Sequence, residues 1–105
     1  MRSTIEGLIP GWAQLPTERI TLRTTSASGP AQSREADAIP LMDALERPVS
    51  GRLIVRSEDG LSLALGLRDL PGAYLLSQGE SCQLVFPGDS TRRRFLKHIC
   101  ALSIE

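Results

Sequence analysis

Leu61, Leu63, Leu65 and Leu67 alternate strictly with Ser62, Ala64 and Gly66, and no other stretch of the chain so narrows its choice of fold. A period of two belongs to a β-strand, because successive side chains leave a strand on opposite sides. The pattern predicts one apolar face of leucines and one face of very small residues. Its neighbours repeat the theme. Leu53-Ile54-Val55 is a strand core, and Glu58-Asp59-Gly60 is a tight-turn signal leading into the leucines. Asp69, Pro71 and Gly72 turn the chain into Ala73-Tyr74-Leu75-Leu76. Gln78 and Gly79 turn it again into Cys82-Gln83-Leu84-Val85-Phe86. Links this short cannot make parallel crossovers, so a four-strand antiparallel meander is expected over 51–86.

On either side the signals are mixed. Arg19-Ile20-Thr21-Leu22-Arg23-Thr24 alternates and is rich in strand formers, which adds one strand. The polar stretch Ser26–Ser33 has no hydrophobic anchor, so a mobile loop is expected near 26–36. Pro40 suits a first helical position and Pro48 a stop, which predicts a short helix near 40–47. Phe95, Leu96, Ile99 and Leu102 fall at i, i+1, i+4 and i+7, the stripe of an amphipathic C-terminal helix near 91–103 that Asp89, Ser90 or Thr91 would cap. The expected fold class is α+β: a mainly antiparallel sheet of about five strands with two helices. A length of 105 residues predicts one domain, 1–105.

Composition excludes several classes. Twelve Lys+Arg balance twelve Asp+Glu, so a dedicated nucleic-acid coat or polybasic membrane binder is not expected. Glu6 and Pro10 interrupt any secretory h-region, and no apolar run approaches a membrane span. Two cysteines, Cys82 and Cys100, and one histidine make neither a disulfide scaffold nor a closed zinc site. No glycine-rich phosphate motif is present, and no metal or cofactor is expected. A reducing cytoplasm is the simplest setting. Eleven of the twelve cations are arginine, a bias suggesting GC-rich bacterial coding.

Four features bear on chemistry. On a C-terminal helix, Arg93, Arg94 and Lys97 would share the face away from Phe95 and Ile99. They would lie near the positive end of the helix dipole, where cations are disfavoured. Such a face would suit an anion or an acidic partner; alternatively, it is a solvated face neutralised by Asp89 and Glu80. Ser62, Ala64 and Gly66 would let another sheet, helix or subunit approach closely. Ile54, Val85 and one of Leu75 or Leu76 would also point to that second face. A sheet apolar on both faces needs covering, either by residues 1–25 or by a partner. Trp12, the only tryptophan, is either an interface anchor or the pin that fixes an irregular terminus to its own core. His98 is the only near-neutral titrating side chain and hence the only candidate general base, with Cys82 as a conceivable nucleophile.

Arg19 and Arg23, with Ser26 and Gly29 after them, resemble the RxxxR signature and small-residue motif of PilZ-type cyclic-di-GMP receptors. The likeness is confined to 19–29. Thr24 stands where that family has Asp or Asn, and the intervening strand is missing, so no membership is taken from it.

Together these residues predict a small, non-catalytic bacterial protein–protein interaction module of adaptor, chaperone or regulator type. It would be a homodimer or bound to a protein partner, through the small face of the leucine strand and the basic helix face. The alternatives are anion or nucleic-acid binding through the arginine-rich helix, and a small enzyme using His98.

Overall fold

A computed structural model describes residues 5–26, 29–78, 81–88 and 95–104. Among them run seven strands, β1 (Glu18–Ser26), β2 (Gly29–Pro40), β3 (Leu53–Ser57), β4 (Ser62–Leu65), β5 (Tyr74–Gln78), β6 (Ser81–Val85) and β7 (Ile99–Ile104). The one α-helical turn is α1 (Leu41–Ala44). The strands form two antiparallel sheets, ordered β1-β2-β5-β6 and β4-β3-β7. The mainly antiparallel α+β class is therefore observed, but its detail differs from expectation at four places.

The C-terminal segment is a strand where a helix was expected. β7 pairs with β3 from Leu53–Ile104 to Ser57–Ile99, and the register slips between Arg56 and Ser57, leaving Cys100 as the extra residue. That slip explains the misleading spacing. Ile99 and Leu102 are three apart and would face opposite ways on a regular strand, yet both are buried because the extra residue reverses the alternation between them. His98, with φ of 56°, breaks the backbone at the middle of the expected helix. Leu96 is held on β6 by paired backbone bonds with Leu84, of 2.8 and 3.2 Å, and this stitches the two sheets together.

The segment expected as a mobile loop is largely strand: β2 starts at Gly29 and pairs with β1 from Ser26–Gly29 to Glu18–Ala38. Polar residues suffice here because the solvent face of a hairpin needs no apolar anchors. Cross-strand ion pairs from Arg19 to Asp37 (2.8 Å) and Glu35 (3.3 Å) lie on that face.

The 51–86 region is not one meander. β3 and β4 form a hairpin closed by Gly60 at φ of +87°, whereas β5 turns away to pair with β6 and, through Ile39 and Pro40, with β2. The short helix spans only Leu41–Ala44. Leu45 is already extended and bridged to Leu8, and the Glu46 N–H donates to the Gly7 carbonyl at 3.0 Å.

Covering the second apolar face falls mostly to the chain itself. β5 and β6 are apolar on both sides. Leu75, Leu84 and Phe86 enter the main core, while Leu76 and Val85 meet Ile20, Leu22 and Ala38 of the β1–β2 hairpin. The N-terminal segment contributes Ile5, Leu8 and Trp12 to the main core. Among the described residues, no helix is long and apolar enough to cross a membrane.

Candidate functional site

The expected small face survives on the three-stranded sheet. Cross-strand rows place Ala64, Ile54 and Ser103 together, and Ser62, Arg56 and Ala101 beside them. Ser62, Ala64, Arg56 and Ser103 are exposed, whereas Ile54 and Ala101 are half-buried. The opposite parity (Leu53, Val55, Leu65, Leu102) is buried in the core. The leucine stripe is shorter than its spacing implies: Leu65 is fully buried and Leu63 partly so. Leu61 and Leu67 lie just outside the strand ends, 58% and 56% exposed. Two of the four exposed large hydrophobic residues among those described thus bracket β4.

β4 is also a sheet edge. The Ser57 N–H donates to the Leu61 carbonyl at 2.9 Å, which fixes the phase of the β3–β4 ladder. Backbone groups alternate direction along an antiparallel pair. Leu63 and Leu65 therefore bond to β3, and the N–H and C=O of Ser62 and Ala64 point outward, where no other described strand lies. The backbone is engaged at both ends of β4, towards β3 at Leu61 and on the outer side at Gly66. The Leu61 N–H donates to Ser57 Oγ, and the Gly66 N–H to Asp69 Oδ2, both at 3.3 Å. Edges are commonly guarded by Lys, Pro or a bulge. β4 reads Ser-Leu-Ala-Leu, and among the described residues its only guard is its shortness.

The other expected site residues are not gathered here. Lys97 is exposed in the bend before β7, with no helix beneath it, while Arg93 and Arg94 lie outside the described residues, so the basic helix face is not formed over 95–104. Trp12 sits in the core at 5% exposure, in the 3-10 turn Trp12–Gln14, and its Nε1 has no hydrogen-bond partner among the described residues. His98 is exposed, and its carbonyl accepts the Glu58 N–H at 2.8 Å. Arg19, the first arginine of the PilZ-like spacing, is engaged by Asp37 and Glu35, and these acidic partners raise its pKa further. Tyr74 is also raised, first by desolvation and then by the charge of Glu18, which accepts a hydrogen bond from its hydroxyl. Two open clefts, of about 290 and 380 Å³, line other parts of the surface. Among the described residues no group of His, Cys, Asp and Glu could hold a metal ion.

Cys82 is buried in β6, and burial pushes its thiol from 9.0 up to about 12. A thiol held protonated is a poor nucleophile. The shift has a consequence for stability. The unfolded thiol ionises from pH 9 upward while the folded one does not, so its contribution is complete below pH 9 and is lost as pH rises towards 12. At ~1.4 kcal/mol per pH unit, about 2 kcal/mol is lost by roughly pH 10.5. Urea unfolding of the wild type and Cys82→Ala between about pH 8 and 10.5 checks this. The variant should show a shallower alkaline loss by about that amount; parallel curves would refute the assignment.

No family model matches the chain, and neither a curated protein nor a solved structure is similar to it. The class rests on the fold alone: a small, mostly antiparallel, two-sheet α+β domain.

Proposed function

We propose that the chain is a small, non-catalytic protein–protein interaction module, of adaptor, chaperone or regulator type in a bacterial cytoplasm, that takes its partner along β4. The single observation that carries this reading is the outer edge of β4. It offers the outward amides of Ser62 and Ala64 with no charge or proline on the strand, between exposed Leu61 and Leu67. Strand addition to such an edge draws affinity from main-chain hydrogen bonds and selectivity from alternate side chains. The small outer side chains of Ser62 and Ala64 let a partner strand and its flanks approach without displacing bulk.

A photo-crosslinking residue in place of Ser62 tests this in the full chain. A protein adduct is expected at position 62 and not at Glu46, exposed on another part of the surface. Adding Ala64→Pro should abolish the adduct. Proline removes an outward N–H there and none of the bonds to β3, so the fold is retained. Absence of any protein adduct above the Glu46 control sinks the reading.

A further inference from the structure

We propose that the partner strand on β4 is β4 of a second copy, paired antiparallel about a two-fold axis so that Ser62 of each copy faces Ala64 of the other. This rests on reading β4 as an interaction edge and adds the identity of the occupant.

Three observations converge on it. First, the phase of the ladder leaves just Ser62 and Ala64 with outward N–H and C=O groups, one on each side of Leu63. Antiparallel pairs exchange both bonds only between residues that both point outward. Placing the axis at Leu63 satisfies this for Ser62 with Ala64 and for Ala64 with Ser62, so one ladder uses every outward group of both strands. Second, the charges flanking β4 differ in sign. The turn before it carries Glu58 and Asp59, and the turn after it carries Arg68 beside Asp69, whose carboxylate is turned in to accept the Gly66 N–H. Glu58, Asp59 and Arg68 are exposed and Asp69 is half-buried. In this register the acidic turn of each copy meets the Arg68 end of the other, twice over, whereas a parallel arrangement would oppose like charges. Third, the exposed Leu61 of each copy comes opposite Leu65 of the other, one diagonal step from that copy's exposed Leu67. A two-fold contact repeats each of these interactions, as closed homodimers do. The two three-stranded sheets would join into one continuous sheet of six strands, with both β4 edges removed.

Sedimentation of the full chain from low to several hundred micromolar tests the pairing. The wild-type mass should rise from 11.4 kDa towards twice that value. Ala64→Pro should stay at the lower mass. Arg68→Glu should weaken association about tenfold or more, since two charge pairs become repulsive. Combining Arg68→Glu with Glu58→Arg and Asp59→Arg should restore association. A readout that needs no variant is amide exchange at Ser62 and Ala64, which should slow as wild-type concentration rises. A wild type that stays monomeric, or whose Ser62 and Ala64 amides exchange at a rate independent of concentration, overturns self-pairing. If the position-62 adduct then contains another protein, the edge reading stands without this occupant; if no adduct forms, both fall. A dimer that Ala64→Pro dissociates but the charge variants leave untouched overturns the antiparallel register.

Discussion

Gly7→Ala is expected to destabilise the protein by at least ~3 kcal/mol, a large share of the ~5–15 kcal/mol that holds a domain of this size together. Gly7 adopts φ of +96°, and a Cβ there would overlap the Leu102 carbonyl oxygen and lie 2.9 Å from the Leu102 Cβ. Neither neighbour can move cheaply. The Leu102 N–H donates to the Glu6 carbonyl at 2.7 Å, and the Gly7 carbonyl accepts from the Glu46 N–H. The segment is thus pinned between β7 and the chain after α1. Gly60→Ala is the control. Gly60 also has a positive φ, +87°, but open space around it, so only backbone strain of about 1 kcal/mol should appear. Thermal unfolding should show Tm falling by more than roughly 12 °C for Gly7→Ala and by less than half of that for Gly60→Ala. Equal shifts would mean that the approach to Leu102 is not what makes Gly7 necessary.

Trp12→Ala is expected to cost about 3–5 kcal/mol, because it empties a large buried volume in the main core. Trp12→Phe should cost far less. The indole Nε1 is buried without a partner among the described residues, a state that itself costs about 1–3 kcal/mol, and phenylalanine removes that group while keeping most of the volume. As the only tryptophan, Trp12 also reports on itself: its emission should be blue-shifted and shielded from quencher in the folded protein and shift red on unfolding. If Trp12→Ala left Tm unchanged while the emission of the wild type was already red, the residue would be a surface anchor instead.

The β-strands of the 53–86 region were legible because short-range chemistry writes them. Gly60 at a positive φ and the Glu58-Asp59 turn specify the β3–β4 hairpin, and β-branched or leucine-rich runs mark β3 to β6. The small outer face of Ser62 and Ala64 was equally legible, since alternation alone assigns it. The exposure of Leu61 and Leu67 was not. They continue the period of two in sequence, but the turns at Gly60 and Gly66 take them off the strand, and only coordinates reveal where a strand stops. β7 was misread for a sharper reason. An i, i+1, i+4, i+7 spacing fits a helix and equally fits a bridge at Leu96 followed by a strand with an extra residue at Cys100. What separates them is the backbone edge of β3 that needs a partner, a demand from residues more than forty positions away in the chain, as the pairs Ser57–Ile99 and Leu53–Ile104 show. β2 was misread as a loop because its polar residues are held by the β1 ladder rather than by burial of their own.

By its own residues, then, the chain determined that it would be an antiparallel protein with one small-faced, leucine-backed strand, because alternation and turn chemistry act within a few positions. Which strands became neighbours, which face of β5 and β6 the β1–β2 hairpin closed, and that β4 was left with an open edge were decided only in three dimensions. Pairing between distant strands depends on which apolar faces meet in the core and on backbone edges far apart in the chain, and alternation and turn chemistry within a few positions do not reveal either.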